Sequence, residues 1–349
     1  MNKYFLFLLL IISNGYGQDL DYKMEFDSID NYVKTIKYKG DLLKLVSDLT
    51  KNTKTDLEKS RAIYFWITEN IAYDYKTFNK NKRSKSFKCK GKLDCDLKII
   101  EWKNKILTRV LDKKMAICSG YSDLFKKMCE IAKVDCLVVE GYVKTEPNQI
   151  GKMGVLDHAW NALIIDNKYY YLDLTWASGS CSTDKKNRLN KFHKKRNEYY
   201  WLTPVDKLSR NHFPKDTLHL VNSKYNKELF KKNPYIKNSI LPNIEIISPD
   251  SGVINAKICD TVKIKFNYSK EIQSLQINTN IKKNPKIYTI ENGVEILNEK
   301  MISKQKYIDF KKEKDTYYFE YIIENNSTRY LEILFDHRLA IKYLIKITK

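Results

Sequence analysis

The chain has 349 residues, a formal charge of +21 at pH 7 and seven cysteines. This length exceeds the usual size of one hydrophobic core, so two domains are expected, and the composition is that of a globular protein. Only eight of the 63 basic residues are Arg, whereas nucleic-acid sites favour the bidentate fork of Arg. The charge therefore predicts no specific nucleic-acid partner, and the Lys-rich runs Lys80–Lys92 and Lys185–Arg196 are expected to be solvated loops.

The first residues have the pattern of a signal peptide. Met1–Lys3 is a charged start, Tyr4–Ile12 is apolar and Ser13–Gly17 ends in small residues, so we expect cleavage after Gly17 and export to the periplasm or the exterior. The apolar run of about nine residues is too short to span a bilayer, and no later run is as long, so no transmembrane segment is expected. Because the first cysteine is Cys89, a lipid anchor beside the cleavage site is not expected either.

Several helices are predicted after the signal peptide. Tyr32–Asn52 is moderately amphipathic, and Thr55–Glu58 has the spacing of a capping box, which predicts a helix that continues to about Asn70. A further helix is predicted over Trp102–Leu111. From Cys118 onward, positions 118, 121, 124, 125 and 128 fall on one helical stripe. A buried helix is therefore predicted to begin at Cys118, with this side chain facing inward.

Three runs rich in Val, Ile and Tyr then predict the strands Cys136–Lys144, His158–Ile165 and Lys168–Trp176. Asp166–Asn167 supplies a two-residue turn between the last two strands, so paired positions sum to 333. In that register His158 and Asp173 are diagonal neighbours on one face, with Cα atoms roughly 7 to 8 Å apart. We therefore expect the imidazole and the carboxylate to be within reach of each other.

From Asn243 the sequence changes to short alternating runs of apolar and polar residues, separated by turn signals such as Pro249–Gly252. This pattern predicts a small β-sandwich. We predict a signal peptide at residues 1–17, a core domain with N-terminal helices at residues 18–238, and an Ig-like β-sandwich domain at residues 239–349.

The odd number of cysteines leaves at least one thiol unpaired within an exported chain. Cys89 and Cys95 are placed for a local disulfide in an oxidising compartment. No closely spaced CxxC pair supports a structural zinc site, and neither a metal nor a cofactor is predicted. The leftover thiol is a candidate nucleophile.

Cys118, His158 and Asp173 are the candidate catalytic residues. A helix N-terminus and a neighbouring imidazolium stabilise a thiolate, and both are predicted beside Cys118. Asp173 is placed to hold the imidazole tautomer, and backbone N–H groups at the helix start are available to an oxyanion. Each residue alone is usually structural, but their combination favours catalysis. We expect the Cys118 Sγ within about 4 Å of one His158 ring nitrogen, with the other nitrogen facing Asp173.

Three motifs resemble the catalytic motifs of the transglutaminase-like family in order, spacing and flanking aromatic residues. They are the nucleophile motif Ala116–Phe125, the His motif His158–Asn161 and the Asp motif Tyr171–Trp176. Upstream, Lys59–Ile67 and Asn70–Asp74 resemble the helix that precedes this core. Downstream, Asn211–Asp216 and Leu229–Pro234 resemble the tail of the subgroup related to kyphoscoliosis peptidase. The resemblance covers about Thr55–Pro234.

The resemblance implies an α+β fold of the papain-like, transglutaminase-core type, in which N-terminal helices pack on an antiparallel sheet, followed by the small β-sandwich. It also implies the role of each catalytic residue. Cys118 would be the nucleophile, His158 the base and Asp173 the partner that orients the base.

Aromatic residues near the motifs are the candidates for contacts with a substrate. Trp160, Tyr121 and Trp102 are the candidate substrate-binding residues. The family's crosslinkers often use a Trp side chain in the oxyanion hole, and by position Trp102 and Trp66 are the candidates here. The calcium dependence of animal crosslinkers has no acidic ligand cluster to support it in this sequence.

We expect an enzyme that acts on a peptide or protein amide through a thioester with Cys118. A peptidase or amidase and a crosslinker differ only in the acceptor, water or an amine, so both stay open. The alternative is a catalytically silent binding or cell-envelope scaffolding protein, whose β domain docks an envelope or extracellular partner. A third hypothesis, polyanion binding through the Lys excess, predicts steeply salt-dependent binding.

Overall fold

The computed structural model describes residues 26–80, 88–184, 186, 188–216, 225–291 and 294–348. The predicted signal peptide at residues 1–17 lies outside these ranges. Within the described ranges, no helix is both long enough and apolar enough to cross a bilayer.

Helices make up the N-terminal part of the structure. In chain order they are α1 (Asp27–Val33), α2 (Leu42–Thr50), α3 (Asp56–Asn70), α4 (Tyr75–Asn79), α5 (Gly91–Lys113) and α6 (Cys118–Ile131). The predicted capping box is confirmed, because the Thr55 hydroxyl accepts from the Glu58 N–H while the Glu58 carboxylate accepts from the Thr55 N–H. These bonds satisfy donors that a helix start leaves free. The predicted amphipathic stretch Tyr32–Asn52 is divided between α1 and α2.

Short strands and helices follow these elements up to residue 236. The strands of this region are β1 (Ala72–Tyr73), β2 (Met115–Ala116), β3 (Cys136–Val143), β4 (Leu156–Ile165), β5 (Lys168–Leu172), β6 (Gly179–Thr183), β7 (Leu189–Lys194), β8 (His212–Pro214) and β9 (Tyr235–Ile236). The further helices are α7 (Leu174–Ser178), α8 (Val205–Leu208) and α9 (Lys227–Lys232).

An antiparallel sheet with the order β5-β4-β3-β8 carries most of the residues discussed below. Helix α6 packs on this sheet, and α3 lies in the same core with all of Ser60–Thr68 buried. A helix that is buried on all sides has to be apolar around most of its circumference, which the run Ala62–Ile67 provides. The structure thus confirms the predicted α+β arrangement of helices on an antiparallel sheet.

The hairpin between β4 and β5 confirms the predicted register. Ile165 pairs with Lys168, so the paired positions sum to 333. Asp166 and Asn167 both have positive φ values, 51° and 59°, as the central residues of a type I′ turn require. The turn residues therefore set which side chains of the two strands share a face.

The third predicted strand ends earlier than expected. We predicted it to continue to Trp176, but β5 ends at Leu172 and the chain turns into α7. The cause is Asp173, whose side chain accepts hydrogen bonds from the N–H groups of Thr175 and Trp176. A side-chain acceptor at this position starts a helix, so the expectation of a strand over residues 173–176 was wrong.

The Lys-rich run Lys185–Arg196 is not simply a loop. Residues 189–194 form β7, which pairs with β6 in a hairpin, although residues 185 and 187 lie outside the described ranges. At Gly179, where β6 begins, φ is 151° and an added Cβ would lie 2.3 Å from the His193 carbonyl oxygen. Glycine therefore permits the close approach of the two strands. The prediction of a loop was wrong for this part of the run, whereas most of its side chains are exposed as expected. Residues 81–87 of the run Lys80–Lys92 lie outside the described ranges.

The C-terminal region consists mainly of strands. They are β10 (Ile244–Ser248), β11 (Val253–Ala256), β12 (Thr261–Tyr268), β13 (Leu275–Asn278), β14 (Tyr288–Glu291), β15 (Val294–Leu297), β16 (Lys311–Glu313), β17 (Thr316–Ile322), β18 (Tyr330–Phe335) and β19 (Arg338–Ile347), with helix α10 (Glu299–Ile302) between β15 and β16. One sheet has the order β10-β12-β17-β16, and the other has the order β11-β19-β18-β13 with β9 beside β19.

Side chains from both C-terminal sheets share one core. The Phe266 ring of one sheet stacks on the Phe335 ring of the other at a centroid distance of 5.2 Å. A region of packed sheets was predicted here. Its Ig-like character and the domain boundary between residues 238 and 239 stay predictions.

A buried ion-pair network joins helices α1 and α3 to the segment around Glu198. Both Asp30 carboxylate oxygens accept from the Arg61 guanidinium, at 2.8 and 2.6 Å, and Glu198 accepts from its Nη1 at 2.7 Å. The Arg61 side chain is only 5 % exposed, so its charge depends on these partners. Two residues after Glu198, the Tyr200 carbonyl accepts from the backbone N–H of Asp173 at 3.0 Å. The network therefore supports the backbone at Asp173.

We predict that Arg61→Ala lowers the free energy of unfolding by about 3–5 kcal/mol, because it leaves the buried Asp30 carboxylate with only the more distant Arg196 guanidinium, 3.9 Å away. Urea titration followed by far-UV circular dichroism measures this change. The matched control is Arg338→Ala, which removes an exposed pair with Glu295 and is expected to change stability little. Equal effects of the two substitutions would contradict the prediction.

Candidate active site

Cys118 is the first residue of α6, and its N-cap is Ile117, which provides no side-chain cap. The backbone N–H groups of the first helical turn therefore remain available beside the thiol. The side chain is half-buried, and its Sγ lies 3.8 Å from the Asp157 carbonyl oxygen. The predicted start of the helix is confirmed to the residue.

His158 lies near the start of β4 and is 8 % exposed. In the pairing with β3, Gly141 lies opposite His158 and Tyr142 lies opposite Leu156, so Asp157 is an unpaired bulge residue. Bulges redirect the chain locally, and this one accompanies the approach of the Asp157 carbonyl to Cys118. The His158 Nε2 lies 2.7 Å from the Asp173 Oδ2, which leaves Nδ1 to face the thiol.

Asp173 is fully buried and occupies the junction of β5 and α7. Its Oδ1 accepts from the N–H groups of Thr175 and Trp176 at 2.8 and 3.1 Å. Its Oδ2 accepts from His158 at 2.7 Å and lies 3.0 Å from the Nε2 of His212. The carboxylate thus has four nitrogen partners, as a buried charge requires.

His212 was not among the predicted site residues. It is 1 % exposed and begins β8, which pairs with β3 so that Tyr142 lies opposite Phe213. Its ring centroid lies 5.5 Å from that of His158 and 4.6 Å from that of Trp176. A second imidazole therefore shares the Asp173 oxygen to which His158 is bound.

The charges of this cluster follow from its contacts. Burial alone would lower the pKa of His158, but the charge and hydrogen bond of Asp173, with a smaller contribution from a hydrogen bond with Cys118, raise it to about 10. Burial alone would raise the pKa of Asp173, yet the two imidazoles hold it well below its usual range. Burial lowers the pKa of His212 despite the opposing effect of Asp173. At neutral pH the cluster is thus an imidazolium, a carboxylate and a neutral imidazole.

Two of the predicted substrate contacts are buried. Trp160 is 1 % exposed and Tyr121 is 0 % exposed, so neither presents surface to a substrate, and the structure contradicts their predicted role. The Tyr121 hydroxyl donates to the Ile71 carbonyl at 2.8 Å, which ties α6 to the end of α3. The Trp160 ring lies over Gly141, where an added Cβ would be 2.3 Å from a ring carbon.

The candidate oxyanion-hole tryptophans have different positions. The Trp66 Nε1 donates to the Ile36 carbonyl at 3.1 Å and the ring is buried in the core. The prediction of Trp66 as an oxyanion-hole residue was therefore wrong. Trp102 is half-buried on α5. Its neighbour Lys103 pairs with Asp123, more than one turn along α6 from Cys118. A role for Trp102 at the site stays a prediction.

The other cysteines are less suited to act as nucleophiles. Cys89 and Cys95 form a disulfide with a Cα–Cα distance of 5.1 Å, as expected for this pair. Burial raises the pKa of Cys129 and raises that of Cys181 to about 11, which disfavours their thiolates. Cys118 is the thiol that lies beside a charged imidazole.

A metal ion is one further group that these residues could hold. Among the described residues, ligand atoms of His158, Asp173 and His212 lie within 4.8 Å of one another. Two imidazoles and a carboxylate are a ligand set that Zn²⁺ accepts. The short contacts to the Asp173 Oδ2, at 2.7 and 3.0 Å, are already hydrogen bonds, so protons satisfy these atoms without an ion.

Comparison with known proteins finds similarity to one family over the part of the chain that carries the site. The family model described as "Transglutaminase-like domain" matches residues 40–185, a range that includes Cys118, His158 and Asp173. The chain is similar to kyphoscoliosis peptidase of Homo sapiens, with 33% identity over 217 residues that cover 61% of this chain and 29% of the relative. The mouse protein of the same name is 34% identical over 191 residues, which cover 54% and 25%. The chain thus spans less than a third of the length of these relatives.

Solved structures overlap with parts of the chain. A crystal structure described as a TGase covers 54% of this chain and 41% of its own, with 17% identity and a TM-score of 0.28. A second likeness is to an arylamine N-acetyltransferase of Bacillus cereus, which covers 42% and 58%, with 14% identity and a TM-score of 0.28. At these scores the overlap is local and does not bear on the reaction.

We predict a pH-dependent contribution of His158 to stability. Its pKa is raised in the folded protein, so its contribution is fully present below the unfolded value of about 6.5 and is lost as the pH rises through about 10. The difference in unfolding free energy between Cys118→Ala and Cys118→Ala/His158→Gln should therefore be larger at pH 6 than at pH 9. Urea titrations at both pH values measure it, and the shared Cys118→Ala background removes thiol ionisation from the comparison. A difference independent of pH would contradict the charge assignment.

Proposed function

We propose that this chain is a cysteine-nucleophile enzyme that acts on peptide or protein amides, because residues 40–185 match the family model described as "Transglutaminase-like domain". The observation that carries the proposal is a buried imidazole that is shared by a carboxylate and a thiol: the His158 Nε2 lies 2.7 Å from the Asp173 Oδ2, and the same ring has a hydrogen bond with Cys118. The names of the relatives, kyphoscoliosis peptidase in both cases, support a protein substrate.

The proposed reaction has two steps. The Cys118 thiolate attacks the amide carbonyl carbon, a C–S bond forms, the C–N bond breaks, and the His158 imidazolium gives its proton to the leaving amine. Water or a second amine then attacks the thioester, His158 takes the proton of the acceptor, and the thiolate leaves. Asp173 stays ionised throughout and stabilises the imidazolium.

Backbone N–H groups are the proposed stabilisers of the tetrahedral intermediate. The first turn of α6 carries donors with no partner inside the helix, and Cys118 stands at its first position. The positive end of the helix dipole points to the same place. A carbonyl oxygen held there would gain negative charge beside donors that are already in position, which lowers the barrier.

We also propose that the protein works in an oxidising compartment outside the cytoplasm. The signal-peptide pattern of Met1–Gly17 and the Cys89–Cys95 disulfide support this location, since structural disulfides are rare in reducing compartments. Release to the periplasm and release to the exterior agree equally with these observations.

We predict that Cys118→Ala and His158→Ala each abolish covalent turnover, because nucleophile and base act as a unit. Asp173→Asn should fold but lose rate by roughly 10⁴-fold, the size of effect seen when a triad carboxylate is replaced. Selective alkylation of Cys118 by iodoacetamide near neutral pH, with the labelled peptide identified by mass spectrometry, measures the activated thiol without knowledge of the substrate. Cys259→Ala, which removes an exposed thiol, is the matched control.

Wild-type activity in Cys118→Ala would refute the assignment of the nucleophile. A folded wild-type protein in which Cys118 reacts no faster than Cys259 would favour the alternative, a silent member of the family that binds or scaffolds a partner. Steep loss of binding to a polyanion with added salt would instead support the third hypothesis.

Either water or a primary amine can accept the acyl group from the thioester. We predict that a mixed peptide library incubated with the protein yields new carboxyl ends in water, or adducts when a primary amine is added, because both outcomes share the thioester. Mass spectrometry of the products with and without the amine distinguishes hydrolysis from transfer. Cys118→Ala is the control, and products that persist in this variant would exclude the thioester route.

A further inference from the structure

We propose that His212 is a positioning residue of this site, which fixes the Asp173 carboxylate through the same oxygen that His158 contacts and thereby sets the orientation of the His158 ring. The inference rests on the proposed function, because it concerns the same catalytic arrangement. His212 lies 39 residues beyond Asp173 in the chain and on a different strand.

His212 contacts the Oδ2 of Asp173, the same oxygen that His158 contacts. Asp173 Oδ1 is taken by two backbone N–H groups, which hold the carboxylate at one end. Rotation about the bond to the carboxyl carbon is then limited by what binds Oδ2, and the ring nitrogens of His158 and His212 lie 2.7 and 3.0 Å from it. With His212 present, Oδ2 has two nitrogen contacts and the position of His158 is defined.

The charge state of His212 fits this role. Burial lowers its pKa, so the ring is neutral at pH 7 and donates from Nε2 to Asp173 without adding a second positive charge. A neutral ring that donates from Nε2 accepts at Nδ1. Nδ1 lies 2.6 Å from the Asn211 Oδ1, and an amide flip, which exchanges oxygen and nitrogen, would place the Asn211 Nδ2 donor at that position. In the flipped orientation Asn211 holds the tautomer of His212 in the way that Asp173 holds that of His158.

Aromatic rings fix the two imidazoles relative to each other. The Trp176 ring lies 5.4 Å from His158 and 4.6 Å from His212, and the Trp160 ring lies 6.0 and 5.0 Å from them. Water is excluded from His212, which is 1 % exposed. In such surroundings a hydrogen bond to a carboxylate is stronger than in water.

The test compares His212→Leu, which fills space without a donor, with His212→Gln, whose side-chain N–H can replace that of Nε2. We expect His212→Leu to slow the alkylation of Cys118 by iodoacetamide at pH 7 by about 10-fold or more. Loss of a residue that orients a metal ligand through a hydrogen bond has an effect of this size in metal sites. His212→Gln should stay within about 3-fold of wild type, because it keeps the hydrogen bond. His193→Leu, at an exposed position on β7, is the matched control and should leave the rate unchanged.

A spectroscopic measurement separates positioning from stability. In ¹⁵N-histidine-labelled protein, ring protons in hydrogen bonds to a buried carboxylate resonate far downfield, and we expect such signals from His158 and His212. His212→Leu should remove one signal and shift the other, while His212→Gln should leave the His158 signal near its wild-type position. A purely structural role would leave the His158 signal unmoved in both folded variants.

Each outcome has a distinct meaning. A reactive wild-type Cys118 with equal rates in His212→Leu and wild type would overturn the inference but leave the proposed function intact. An unreactive wild-type Cys118 would count against the proposed function, and the His158 signal would still decide the inference, since an unshifted signal in His212→Leu overturns it. A wild-type rate that changes on addition of EDTA would show a metal ion between the imidazoles and overturn it as well.

Discussion

The buried carboxylate of Asp173 is the constraint on which the arrangement of the site depends. It is fully buried and keeps its negative charge, which is possible only because every lone-pair direction has a nitrogen partner. Two partners are backbone N–H groups of α7 and two are imidazoles from β4 and β8. One side chain therefore ends a strand, starts a helix and joins two further strands. Its neighbours cannot shift independently without leaving a buried charge unpaired.

Packing of α6 on the sheet brings the thiol to this cluster. The Asn161 side-chain amide donates to the carbonyl of Ser122 on α6 and to that of Leu137 on β3, both at 3.1 Å. Asn161 belongs to the same strand as His158, so the helix that carries the nucleophile and the strand that carries the base are held by one amide. Removal of that amide would take one hydrogen bond from each of these two carbonyls, at a net cost of about 0.5–1.5 kcal/mol per bond. The motif His158–Asn161 therefore contains both the base and the means of placing it.

Local signals explain which features were predictable from the sequence. The Thr55–Glu58 capping box and the turn at Asp166–Asn167 act over a few residues, and both were confirmed. The turn alone set the register that brings His158 beside Asp173, even though the strand was predicted to be too long. His212 could not be found in this way, because only the pairing of β8 with β3 brings it to Asp173. From the sequence alone, an aromatic residue such as Trp160 can belong either to the hydrophobic core or to a substrate cleft. The packing of its ring over Gly141 shows that Trp160 belongs to the core.

The tail that carries His212 is fixed by contacts with both parts of the chain. Lys144, one residue after β3, is 2 % exposed and donates from Nζ to the carbonyls of Lys231 and Asn233. Burial lowers its pKa to about 7, so part of the charge that holds these carbonyls is lost near neutral pH. Two residues beyond Asn233, β9 pairs with β19 of the C-terminal sheets. The segment that places the second imidazole is thus anchored at one end to the sheet of the site and at the other to the β-sandwich. The C-terminal sheets are therefore joined, through β9, to the segment that follows His212 in the chain.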